Sequence, residues 1–231
     1  MSTWRKRTVA TLNKTDKLIL LAGIFFTALF VSNVISVKLF TIGSAVLTAG
    51  LLTYPLTFLI TDSISEVYGK NTAKRVVIIG LLTNLMMIGF FYMAIALPAA
   101  DFWPMQAEFE MILGAVPRIV AASLLAYFVS QLFDVHFFHK LKQMTSGRHL
   151  WLRNNGSTFA SQLLDSTIFV VVAFYGTMPV SALLAMIGVQ YLVKVAIAAL
   201  DTPFIYLMVK WLRKDDANDN GNNKEEETYA V

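Results

Sequence analysis

The sequence predicts an all-α, polytopic membrane protein of six transmembrane helices, with both termini on the cytoplasmic side (N-in/C-in). Three observations predict it. The 231 residues are 56% hydrophobic and only 15% charged, where a soluble domain is about 45–50% apolar and about a quarter charged. Apolar runs of bilayer length follow one another along the chain. The basic residues gather in alternate connecting segments, a pattern that sets membrane orientation.

A hydrocarbon core of about 30 Å needs about 20 mostly apolar helical residues. Leu18–Val37, Leu39–Thr61 and Val76–Ala100 contain no Asp, Glu, Lys or Arg, and Met111–Phe133 is interrupted only by Arg118. From Asn154 to Val209 the chain is apolar apart from Asp165, Lys194 and Asp201, and Tyr175-Gly176-Thr177-Met178-Pro179 divides that stretch into two spans. The segments that would face the cytoplasm hold 16 of the 19 Lys and Arg; the exceptions are Lys38, Arg118 and Lys194. The connection Asp101–Glu110 is acidic and carries Trp103 at interface depth.

These runs divide the chain into a basic leader (1–17), one membrane domain (18–213) and a polar tail (214–231). The tail is Asn-rich, acidic and short of large apolar residues, which predicts disorder. The connecting loops are too short for a core of their own. The leader runs into a span of full bilayer length without a cleavage site of small residues, unlike a secretory signal. With no cysteine, disulfides and thiolate metal sites are excluded. His136, His139 and His149 form no zinc pattern, and no P-loop or Gly-x-Ser-x-Gly occurs. No cofactor, no metal and no catalytic constellation is expected, so the chain does not read as an enzyme. Its basic balance follows from topology, and nucleic acid is not an expected partner.

Ionisable side chains at membrane depth cost roughly 2.5–3.5 kcal/mol each on insertion scales and mark functional sites. In the second helix Asp62 and Glu66 share a face one turn apart. Arg118 lies toward the outer end of the fourth helix, and Tyr127, Gln131 and Asp134 share a face near its inner end. Gln162 and Asp165 stack in the fifth helix; Gln190, Lys194 and Asp201 lie on nearly one face of the sixth. Together they suggest a polar interior in which carboxylates from four helices are partly neutralised by two cations. A ring, an amide and a carboxylate on one face suit a flat heterocycle, which needs a surface to stack on and partners for its edge.

Each residue also has a plainer reading. Glu66, beside Gly69-Lys70, fits an interfacial position, and Asp134, ahead of His136–Lys142, fits a helix end. An ion pair with Lys194 would make Asp165 structural. Lys194 and Arg118 would then only neutralise buried acids, and Asn33 would serve as glue between helices. Asp62-Ser63 and Asp165-Ser166 echo each other, as two inverted three-helix halves would require, although chance explains a dipeptide equally well.

Four blocks in order resemble the queuosine-precursor transporter family, bacterial six-helix proteins: TDSISEVYGKNTAKR (Thr61–Arg75), RIVAASLLAYFVSQLFDVHFFHKLK (Arg118–Lys142), R-x3-STFASQLLDSTIF (Arg153–Phe169) and VKVAIAALDTPFIYLMVKWL (Val193–Leu212). The resemblance covers roughly residues 18–213. It implies import of 7-cyano-7-deazaguanine and 7-aminomethyl-7-deazaguanine, precursors of a tRNA base. It also implies a multi-pass position in the bacterial cell membrane, the inner one in a Gram-negative cell. The small-molecule deazaguanine and the lipid bilayer are then the partners, and a homo-oligomer is left open. Asp62, Glu66, Arg118, Tyr127, Gln131, Asp134, Gln162, Asp165, Gln190, Lys194 and Asp201 are the substrate-site candidates. The competing reading is a substrate-binding membrane subunit of a vitamin-type system with a separate ATPase partner.

Overall fold

The computed structural model describes residues 12–43, 45–144 and 150–213; most of the basic leader and the whole acidic tail lie outside the described residues. Six α-helices make up most of it: α1 (Lys14–Ile35), α2 (Tyr54–Tyr68), α3 (Lys70–Ala96), α4 (Gln106–Met144), α5 (Leu150–Phe174) and α6 (Val180–Arg213). Among the described residues, five helices are long and apolar enough to cross a membrane: α1, α3, α4, α5 and the first half of α6.

Expectation and structure part at Leu39–Thr61, which is not one helix. Leu39–Ile42 (β1) and Ala45–Thr48 (β2) pair as an antiparallel hairpin, Ala49–Leu52 forms a 3₁₀ turn, and only then does α2 begin. The physical reason lies in local residue choice. Leu39-Phe40-Thr41-Ile42 and Ala45-Val46-Leu47-Thr48 are strand-compatible tetrads around Gly43-Ser44, a two-residue hairpin signal. Gly43 takes φ +62, and Ile42 faces Ala45 in the register. Pro55 then occupies the first turn of α2, where its fixed φ starts a helix and its missing N–H costs nothing. At 15 residues, α2 is about 22 Å long. Its last residue nonetheless returns to the start of α1, where the Tyr68 hydroxyl donates to the Lys14 carbonyl at 2.9 Å. Hairpin, 3₁₀ turn and short helix together bring the chain back to the end of α1 that holds Lys14.

The hairpin is seated by close approach to α1. The Ser32 hydroxyl donates to the Gly50 carbonyl at 3.1 Å, and the Ala49 amide donates to the Lys38 carbonyl at 2.9 Å. A Cβ on Gly50 would lie 1.9 Å from Ser36 Oγ and 2.9 Å from the Ser32 carbonyl oxygen, so the contact admits no side chain.

Two apolar clusters hold the helices together. Leu21 and Phe25 of α1, Ile60 and Ile64 of α2, Val76 of α3 and Leu212 of α6 form one. Ile119 and Ala122 of α4, Val170 and Phe174 of α5, and Leu183 and Met186 of α6 form the other. Helix α6 threads both, and its polar Gln190 and Lys194 fall between them. Elsewhere large apolar side chains face outward, among them Leu82, Leu85, Met86 and Phe90 along α3. An apolar exterior of this kind suits hydrocarbon.

Polar contacts fix three further joints. Asn33 Nδ2 donates to Asn84 Oδ1 at 2.9 Å, and both are buried, so Asn33 does join α1 to α3. Lys17, 2% exposed, donates to the Trp211 and Leu212 carbonyls at the end of α6 and lies over the Trp211 ring. Arg118 does the same for α5, its Nε reaching the Val172 carbonyl at 2.7 Å and Nη2 the Tyr175 carbonyl at 2.6 Å. A cation there satisfies terminal carbonyls and complements the negative end of the helix dipole.

Candidate functional site

A cavity of about 800 Å³ runs between α1, α2, α3 and α4 and reaches α5 and α6 at its deep wall. Its size falls within the usual range for small-molecule pockets. Lys70 and Lys74 line one end; Ser36, Thr48 and Gly50, where the hairpin meets α1, line the other. Aromatic and aliphatic side chains cover most of the wall, and a few polar groups converge in it.

The deep wall holds the densest chemistry. Lys194 Nζ donates to Asp165 Oδ2 in an ion pair whose side chains are 5% and 16% exposed. The ammonium also stands over the Tyr54 ring at 4.9 Å and the Phe169 ring at 5.9 Å, both cation–π distances. Asp165 Oδ1 lies 3.5 Å from the Ser130 hydroxyl, a long contact that leaves acceptor capacity. Gln190, one turn before Lys194, is 2% exposed, and its Oε1 has no hydrogen-bond partner among the described residues. Leaving such an acceptor unpaired costs about 1–3 kcal/mol. The Tyr54 hydroxyl approaches Gln162 Oε1 at 3.4 Å, which ties α2 to α5 beside the pair.

The eleven candidates do not all converge. Asp62, Tyr127, Gln131, Asp165, Gln190 and Lys194 line the cavity, and Gln162 stands behind Tyr54. Asp134 is set off the cavity, accepting from Ser161 at 3.2 Å. Glu66 pairs with Arg213 at 3.0 Å on the exposed surface, away from the cavity. Arg118 caps α5 away from the cavity. Asp201 lies in α6, but its side chain is outside the described residues. Tyr54, Phe169 and Ser130 complete the site without having been singled out by sequence. With 17 Phe and 8 Tyr in the chain, no local signal separates a site aromatic from a lipid-facing one. Ser63 and Ser166, from the two Asp-Ser pairs, are both buried, and neither hydroxyl has a hydrogen-bond partner among the described residues.

Comparison with known proteins places this architecture. Residues 48–208 match the model of the family described as "Putative vitamin uptake transporter". The chain belongs to that family. It is 35% identical over 170 residues to the "Probable queuosine precursor transporter" of Bacillus subtilis, covering 73% of this chain and 74% of the relative. It is 31% identical over 132 residues to the "Queuosine precursor transporter" of Escherichia coli, 55% of each chain. The "Probable queuosine precursor transporter" of Haemophilus influenzae is 28% identical over 130 residues, 55% of this chain and 52% of that one. No solved structure matches. This is a family of transporters and not of enzymes, and with its apolar helices the chain is a multi-pass protein of the bacterial membrane.

Proposed function

We propose that the protein imports queuosine precursors, 7-cyano-7-deazaguanine and 7-aminomethyl-7-deazaguanine, through the cavity lined by Asp165, Lys194 and Gln190. Relatives that carry that activity in their names support the substrate, and the deep wall is the observation that supports the place. A 7-deazaguanine is flat, uncharged over its ring system and rich in N–H donors along one edge. Tyr127 supplies aromatic wall to such a solute, Tyr54 and Phe169 line the cavity with Lys194 over their rings, and the Asp165 carboxylate supplies an acceptor. Among the other candidates, Asp62 and Gln131 line the path toward Lys70 and Lys74. Asp134 and Gln162 position the α4–α5 and α2–α5 contacts around it.

The membrane frame of this reading keeps both termini cytoplasmic. The chain crosses six times, with hairpin, 3₁₀ turn and α2 forming the second passage, and Lys14, Lys70, Lys74 and Lys210 all fall on the cytoplasmic side as the positive-inside rule requires.

The test is thermal stabilisation of the purified protein by the two deazaguanines and, in parallel, by anionic vitamins and nucleotides. Stabilisation by the deazaguanines alone is expected. A larger shift with a carboxylate vitamin overturns the substrate and leaves the fold standing. A binding subunit of an ATPase-driven system would bind equally well, but would move no substrate when reconstituted alone.

A further inference from the structure

The two ends of the cavity differ. Where β2 and the 3₁₀ turn meet α1, Ser36 and Thr48 are 4% and 2% exposed and Gly50 is buried, so that end is shut. At the other end Asp62, Lys70, Lys74 and Gln131 are all exposed. Between the two, Thr57, Thr61, Asp62 and Ser65 recur on one face of α2, a polar stripe that leads from Tyr54 to the open end. The exposed residues on the cavity's flank, Phe58, Ile78 and Phe128, are apolar and suit lipid, so water enters by the charged end. We propose that β2 and the 3₁₀ turn (Ala45–Leu52) are the outer gate of this cavity, and that the conformation described is open to the cytoplasm and closed to the outside.

The way this segment is held suits a part that closes and releases. Only one strand of the hairpin is packed: Leu47 and Thr48 of β2 are buried, whereas Leu39 and Ile42 of β1 are exposed. Strand β2 also packs against α6, the helix that carries Lys194, so the segment spans the shut end from α1 to α6. The hydrogen bonds that fix it to α1 and to the residues just after α1 are neutral, from the Ser32 hydroxyl to the Gly50 carbonyl and from the Ala49 amide to the Lys38 carbonyl. Neutral bonds are about half as strong as charge-assisted ones, such as those Lys17 and Arg118 make at two other joints. Water admitted on opening would replace the neutral bonds at small net cost. Gly50 sets the tightness of the closed state, because its Cα meets Ser36 and the Ser32 carbonyl with no room for a Cβ. A solute arriving from outside has to pass this seat before it reaches the deep wall.

This inference rests on the cytoplasmic placement of Lys70 and Lys74, and not on the identity of the solute. The chain has no cysteine, so a single introduced cysteine reports on its own position. Thr57→Cys stands in the cavity, Lys74→Cys at its open end and Asp101→Cys in the connection between α3 and α4. Each full-length variant is treated with a membrane-impermeant methanethiosulfonate cation in right-side-out and in inverted membrane vesicles. Lys74→Cys marks the cytoplasmic side and Asp101→Cys the outer one. Thr57→Cys is expected to react at least about tenfold faster in inverted vesicles, as a minor outward-open state requires. Adding Ser32→Ala to Thr57→Cys should raise the outside rate about 2- to 10-fold. Adding Gly50→Ala instead should raise it about 5- to 100-fold, with no rise from the inside in either case. A rise confined to the outside in either variant upholds the gate. Thr57→Cys reacting equally fast from both sides, or from neither, overturns it. Outside rates unchanged in both variants overturn it too, as do rates that rise alike from both sides, the mark of general loosening. Should Gly50→Ala not fold, Ser32→Ala decides alone. Lys74→Cys reacting from the outside overturns the membrane orientation and this inference with it, whereas failure of the deazaguanines to bind overturns the substrate and leaves the gate standing.

Discussion

Removing either partner of the Asp165–Lys194 pair should destabilise the protein more than removing both. With side chains 5% and 16% exposed, each ion is largely withdrawn from water. Breaking such a pair from one side strands a buried charge and costs roughly 3–5 kcal/mol, whereas neutralising both is far milder. On the scale of 2–4 °C per kcal/mol for a chain of this size, a single substitution lowers Tm by roughly 6–20 °C. The two singles should differ. Asp165→Asn leaves the Lys194 ammonium over two aromatic faces, which return about 0.5–2 kcal/mol. Lys194→Met leaves the carboxylate with little beyond the long Ser130 contact, so it is expected to be the worse of the two. The assay is thermal unfolding of wild type, Asp165→Asn, Lys194→Met and the double variant in one detergent, without ligand. A Lys194→Met protein as stable as wild type refutes the reasoning, and so does a double variant no more stable than the worse single.

Three further outcomes follow from the geometry. Gly50→Ala is expected to cost about 1–3 kcal/mol through the overpacked contact with α1. Ser36→Ala should recover only part of this loss, because the Ser32 carbonyl still obstructs; full recovery, or no loss, on denaturation would show that the seam is looser than described. Arg118→Ala should lower stability by about 1 kcal/mol through the lost cap on α5, with ligand affinity unchanged in the same preparation; a fall in affinity instead would return Arg118 to the site. Reporter fusions at Thr72 and Met144 should read cytoplasmic and one at Gln106 external, and a cytoplasmic signal at Gln106 contradicts the orientation.

Much of this was legible in the chain because bilayer physics is coarse. Charge-free runs mark α1 and α3, and Tyr175–Pro179 marks the break between α5 and α6, each within a few residues of where it falls. The same coarseness concealed the hairpin. Hydropathy counts apolar residues without regard to period, so Leu39–Thr61 scored as a helix although Gly43-Ser44 and Pro55 punctuate it. Of the site, the ion pair and Gln190 were visible, since a charge or amide deep in an apolar run is conspicuous. Tyr54 and Phe169 were not, because their role depends on which way a common side chain faces. Lys17 escaped for another reason. A lysine at the edge of a span reads as an orientation signal, and only the packing of α1 against the end of α6 turns it into a buried cap.

The central claim, that this chain alone carries deazaguanines across a membrane, is tested most directly by flux. The purified protein, reconstituted into liposomes without any other polypeptide, should accumulate labelled 7-cyano-7-deazaguanine above protein-free vesicles. Excess unlabelled compound should compete, and Asp165→Asn should remove most of the uptake. Binding in detergent without flux in liposomes would contradict the account and favour a subunit that needs a separate ATPase; flux unaffected by Asp165→Asn would place the substrate path elsewhere in the bundle.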